Sequence, residues 1–73
     1  MKKQINGKQA CDYLRRGYIV YTHDLYYVKL VPYYIRNNIL YTITLGYEIK
    51  SHLSFNDIEG FNDWYIEEEV ELC

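Results

Sequence analysis

At 73 residues and a formal net charge of −2, the chain has room for one small domain over 1–73, and a domain of this size buries only about 60% of the surface its unfolded chain exposes. No apolar run approaches the roughly 18 residues of a membrane span, no signal peptide is recognisable, and Cys11 and Cys73 lack the spacing of a disulfide framework or a metal knuckle. A spanning helix and a stapled fold are thereby excluded, the cytoplasm is the expected compartment, and oligomerisation is the expected remedy for a thin core.

Ile5 to Gly17 reads as the chain's substantial helix. Asn6 suits the N-cap with Gln9 completing a capping box, and Ile5 and Ala10 hold the positions of a hydrophobic staple. Ala10, Tyr13 and Leu14 share one face, and Gly17 suits a left-handed stop. A stripe of about three turns is not stable alone in water, so it must lie on a larger element.

Tyr18 to Thr22 and Leu25 to Leu30, parted by His23-Asp24, predict a first hairpin, with Pro32 marking an edge or an exit. Tyr33 to Arg36 and Ile39 to Leu45 flank Asn37-Asn38 and predict a second, because asparagine tolerates the positive φ of a tight turn. Gly46 predicts a bulge or bend before Tyr47 to Lys50. Ser54 followed by Phe55 to Glu59 and Gly60 predicts a single helical turn. From Trp64 to Leu72, Trp64, Ile66, Val70 and Leu72 alternate with Tyr65, Glu67, Glu69 and Glu71, which predicts a strand with one buried and one wet face, its glutamates blunting an edge.

The elements add up to an α+β fold: an N-terminal helix packed on a four- or five-stranded antiparallel sheet, with one short helical turn before the last strand. One helix cannot cover such a sheet. Its other face is expected to expose Tyr21, Tyr34, Tyr65, one of Tyr26 and Tyr27, and the threonines Thr42 and Thr44. With Glu67 and Glu69 alongside, that face is expected to be an interface with another copy, a partner or a ligand. Ten of the thirteen aromatic residues are tyrosine, a pattern that suits a binding surface and equally an AT-rich genome.

Catalytic chemistry finds no constellation. His23 and His52 are isolated and read as loop or turn residues, the glycines form no phosphate-cradling loop, and adjacent members of Glu67-Glu68-Glu69 point to opposite faces of a strand. No catalytic residue, metal site or cofactor is expected. Residues 1–36 carry seven Lys/Arg against two acids and residues 37–73 carry one against eight, a split that reads as internal neutralisation plus one acidic face. Arg15-Arg16 with Lys2 and Lys3 form no basic stripe, so nucleic acid is disfavoured as a partner.

The order of motifs adds a further expectation. Gly7-Lys8-Gln9-Ala10, Leu14, Gly17 and Val20 at the opening, with Ser54, Asp57-Ile58 and Asp63-Trp64-Tyr65-Ile66 at the close, resemble a family of small phage anti-defence proteins. That family includes the second type of Thoeris anti-defence protein and, more distantly, a phage inhibitor of a CRISPR nuclease. The resemblance implies an oligomeric protein of the host bacterium's cytoplasm that sequesters a nucleotide-derived signal, similar to cyclic ADP-ribose, at a subunit interface. Tyr26, Tyr27, Asn62, Asp63 and Trp64 are the expected ligand-binding residues. Where the family carries an Arg and then a stacking Trp, this chain has Thr22 and Leu25, with Tyr26 the nearest aromatic, and one extra residue separates Asp57 from Trp64. Trp64 also fits a core position, with Asp63 capping the turn before it. Two other roles suit the same residues: an inhibitor that binds a host defence protein through an acidic, tyrosine-rich surface, and a structural or accessory phage protein.

Overall fold

The computed structural model describes residues 2–24 and 29–67. Among them the chain runs β1 (Lys2–Ile5), α1 (Gly7–Arg15), β2 (Val20–His23), β3 (Leu30–Arg36), β4 (Ile39–Thr44), β5 (Tyr47–Lys50), α2 (Phe55–Glu59) and β6 (Trp64–Glu67). The strands form one antiparallel sheet in the order β1-β6-β2-β3-β4-β5, and the helices pack together on one side of it. The expected α+β architecture is present, with one strand more than expected.

Local chemistry sets both helices. Asn6 accepts from Gln9 N–H at 2.8 Å while Gln9 Oε1 accepts from Asn6 N–H at 3.0 Å, so two orphan amides of α1 are satisfied reciprocally. Ser54 and Asp57 repeat the device on α2, and the amide and hydroxyl of Ser54 hold the Asp57 carboxyl below its ordinary range. Gly7 matters for its lack of a side chain. A Cβ there would stand 2.4 Å from Glu59 O and 2.5 Å from Ile58 O, so only glycine lets the start of α1 meet the end of α2.

Between helices and sheet lies a small core of Ile5, Ala10, Cys11, Leu14, Val20, Ile58 and Trp64. Cys11 is a free, buried thiol, and burial pushes its pKa up. Trp64 is 1% exposed, its ring is met edge-on by Tyr33 and Phe61, and its Nε1–H donates to Ile58 O at 3.1 Å.

Three expectations are corrected. Lys2–Ile5 is a strand, so Ile5 belongs to it rather than to the helical stretch, while Asn6 caps α1 as expected; nothing in a run of two lysines and a glutamine favours a strand, and its pairing with β6, Ile5 opposite Trp64 and Lys2 opposite Glu67, imposes one. Pro32 lies inside β3, opposite Tyr21, rather than at the exit from a hairpin, at a point where β3 is paired on one side only. The β3–β4 register stops at Tyr33 opposite Thr42, one residue short of it, where proline has no N–H to continue the ladder, and Thr42 Oγ1 donates to Pro32 O at 2.8 Å instead. Finally, β6 is no edge strand over Trp64–Glu67, since it runs between β1 and β2. Its expected continuation through Glu69 and Leu72 lies outside the described residues.

The Asn37-Asn38 turn, with φ of 54° and 64°, sets Arg36 opposite Ile39 as expected for a two-residue hairpin. A second such turn at Leu45-Gly46, φ 50° and 80°, pairs Thr44 with Tyr47 and makes β5 a new strand rather than a continuation of β4.

Candidate functional site

Register sorts the side chains between the two faces. Because Tyr21 is opposite Tyr65 and Tyr34 is opposite Tyr41, the helix-free face carries Tyr21, Tyr34, Tyr41 and Tyr65 together with Glu67 and Glu48. The expected Tyr21, Tyr34 and Tyr65 are thus brought together there. Thr42 and Thr44 are not: the two-residue turn places Thr42 opposite Tyr33 on the helical side, where it is buried. Tyr41 occupies the position expected of a threonine.

These rings are half-buried because their neighbours lie over them. Tyr34 and Tyr41 stack with centroids 6.1 Å apart, Arg36 lies 4.8 Å from the Tyr41 centroid, and Lys2 Nζ lies 4.4 Å from that of Tyr21. The acids are compensated as well. Glu48 accepts from Tyr34 and, in a fork, from Arg36 Nη1 and Nη2 at 3.2 and 2.6 Å, so Glu48 holds the Tyr34 phenol protonated above its ordinary range. Glu67 pairs with Lys2, which lowers its carboxyl to about 2. The described part of this face is therefore charge-balanced rather than acidic, and Glu69 lies outside the described residues.

The other expected site residues have local duties. Asn62 Oδ1 accepts from Gly7 N–H at 3.1 Å, capping α1 from outside the helix. Asp63 Oδ2 bonds His23 Nδ1 at 2.7 Å while Thr22 Oγ1 donates to Asp63 O at 2.6 Å, tying the end of β2 to the start of β6. Burial pushes the Asp63 carboxyl up, but bonds from His23 and Tyr65 outweigh it and leave the pKa below its ordinary value. Trp64 is in the core, with its N–H spent, so its ring is not offered for stacking. Tyr26 and Tyr27 lie outside the described residues.

A surface the sequence does not announce lies on the helical side. The helices stand over β6, β2, part of β3 and the Leu40 end of β4, and leave the Thr44 end of β4 and β5 uncovered there. A groove of about 510 Å³ results, floored by Val31, Tyr33, Thr42 and Ile49, with Leu45 on its rim and His23, Asp24 and Lys29 at its mouth. It meets a second hollow of about 310 Å³ at Tyr33 and His23, walled by Leu53, Phe61 and Trp64. Leu45 and Tyr47, beside it, are 82% and 73% exposed. Most polar side chains lining these hollows are already bonded within the chain, Thr22 and Thr42 to carbonyls and Asp57 to Ser54, while the His23 ring turns to the helix-free face against Tyr65 and Asp63. Lys29 carries no ion pair among the described residues.

The groove thus combines an apolar and aromatic floor with a charged mouth of Asp24 and Lys29, the lysine having no ion pair among the described residues. A different hollow, of about 760 Å³ between Tyr13, Tyr18, Ile19 and Ile66, opens where the chain leaves the described residues after Glu67. Among the described residues no three His, Cys, Asp or Glu gather to hold a metal, and no helix is long and apolar enough to cross a membrane. Comparison with protein families, with characterised proteins and with solved structures returns no match.

Proposed function

We propose that the chain is a binding protein, not a catalyst, which holds a small nucleotide-derived ligand in the groove between β3 and β5. The observation that carries the reading is the pairing of Tyr33 and its apolar surroundings with Lys29 in a hollow of about 510 Å³, within the range of roughly 300–1,000 Å³ usual for small-ligand sites. The role follows the motif resemblance: an anti-defence protein of phage or prophage that acts in the host cytoplasm by sequestering an immune signal similar to cyclic ADP-ribose, assembled as a homo-oligomer. The stacking part belongs to Tyr33 in this chain, because Trp64 is enclosed.

Thermal denaturation against a panel of cyclic ADP-ribose isomers and cyclic dinucleotides tests the reading. A ligand present at 100 times its Kd adds about 2.7 kcal/mol to stability, which raises the Tm of a domain this size by roughly 10 °C or more. Lys29→Glu and Tyr33→Ala should each abolish the shift. No response to any nucleotide at millimolar concentration contradicts the proposal. Exposed Leu45 and Tyr47 favour a second reading, an inhibitor that seats a host defence protein on the same side through apolar rather than acidic contacts. It predicts no ligand shift and a binding partner lost on Tyr47→Ser.

A further inference from the structure

Among the described residues, β5 is the sheet edge next to this groove. Ser51 N–H donates to Leu40 O at 2.9 Å, continuing the β4–β5 ladder beyond Lys50. Hydrogen-bonded pairs alternate along an antiparallel ladder, so Tyr47, Ile49 and Ser51 turn their backbone groups toward β4, and Glu48 and Lys50 turn theirs outward. The side chains of Glu48 and Lys50 lie on the helix-free face, while those of Tyr47 and Ile49 lie on the helical side.

We propose that this edge pairs with the same edge of a second copy about a two-fold axis, with Ile49 opposite the partner's Ile49 and Glu48 opposite the partner's Lys50. Charge selects the register. Sliding by two residues in either direction sets Glu48 against Glu48 or Lys50 against Lys50, like charges that destabilise a pair, whereas the central register makes two opposite-charge pairs. Shifts by one residue bring outward amides against residues already bonded to β4. In the selected register Glu48 and Lys50 exchange both backbone bonds, and the two Ile49 side chains meet at the closer, non-hydrogen-bonded position, about 4.5 Å between Cα atoms. Ile49 is 46% exposed in the single chain and gains cover from its copy. Lys50 has no ion pair among the described residues, and Glu48, though bonded to Arg36 and Tyr34, stays 33% exposed. The opposite edge, β1, presents Lys2 and Lys3, edge lysines of the kind that discourage strand addition.

Pairing in this way gives a closed dimer with a continuous sheet and joins the two helical-side grooves across the axis, each copy adding its Ile49 to the floor. The inference rests on the sheet edge and stands whether or not the ligand is a nucleotide.

Sedimentation from micromolar to millimolar concentration tests it. The unmodified chain should reach twice its mass of 8.9 kDa, Lys50→Glu and Glu48→Lys should each weaken association about tenfold or more, and an equimolar mixture of the two variants should recover it, because opposite charges again face each other. A monomer throughout, a dimer indifferent to both variants, or species that grow beyond the dimer with concentration would overturn the proposal. Because Glu48→Lys also breaks the bonds to Arg36 and Tyr34, a second measurement uses Ile49→Cys in a Cys73→Ser background. Mild oxidation should link it as a dimer. Tyr47→Cys should not link, since the two Tyr47 Cα atoms lie about 13 Å apart along the paired strands. Failure of Ile49→Cys to link more readily than Tyr47→Cys likewise overturns it.

Discussion

On the helix-free face, Tyr34 and Tyr41 stack on each other and Arg36 and Lys2 lie over rings, whereas on the helical side Leu45 and Tyr47 stand 82% and 73% exposed. The first region is the richer in tyrosine and supplies its own cover. The second lacks cover, because α1 and α2 together stand over only part of the sheet. Exposed area marks a recognition surface; aromatic composition alone does not. The two regions meet at β5, whose even-numbered side chains belong to the tyrosine face and whose odd-numbered ones belong to the groove.

The largest effect should come from breaking the arrangement that leaves β5 bare. Gly7→Ala drives a Cβ into the carbonyls of Glu59 and Ile58, parts α1 from α2, and should cost about 3 kcal/mol or more in urea denaturation. Next, the two faces should respond differently to truncation. Tyr41→Ala removes a stacked, half-buried ring and should cost about 1–2 kcal/mol, while Tyr47→Ser should stay within about 0.5 kcal/mol of the parent. Equal losses at the two positions would erase the distinction.

Asp63 offers a comparable effect with a pH signature. Its folded pKa is depressed, so the stability it contributes is present above the unfolded carboxyl value of about 3.9 and is lost as pH falls through the lower folded value. Glu67, lowered to about 2 by Lys2, acts in the same direction and extends the window downward. Asp63→Asn should cost about 1–2 kcal/mol at neutral pH and flatten the loss of stability below about pH 4, read by urea melts across about pH 2–7. The smallest expected effect is a gain: Leu45 holds a positive φ of 50°, and Leu45→Asn should stabilise by roughly 0.5–1 kcal/mol in the same assay.

Elements fixed by neighbouring residues are legible in the sequence. The Asn6/Gln9 box, the helical turn after Ser54 and the Asn37-Asn38 turn are set within a few residues, and each is present. Elements fixed by distant pairing are not. β1 becomes a strand because β6 lies beside it, and Gly7 is indispensable because α2 arrives from a distant part of the chain. Of the candidate site, the co-facial set Tyr21, Tyr34 and Tyr65 can be read from alternation. The groove cannot, since it is defined by where two short helices stop covering the sheet, and His23 gives no sign in the sequence of its bond to Asp63, 40 residues on.

Amide exchange along β5, followed by NMR over a concentration series, tests most directly that recognition is organised around this strand. Tyr47 and Ile49, bonded to β4, should be protected at every concentration, and Glu48 and Lys50 should gain protection together as the chain is concentrated. If the Glu48 and Lys50 amides exchange as fast at millimolar as at micromolar concentration, while protection grows on the tyrosine face instead, the account is contradicted.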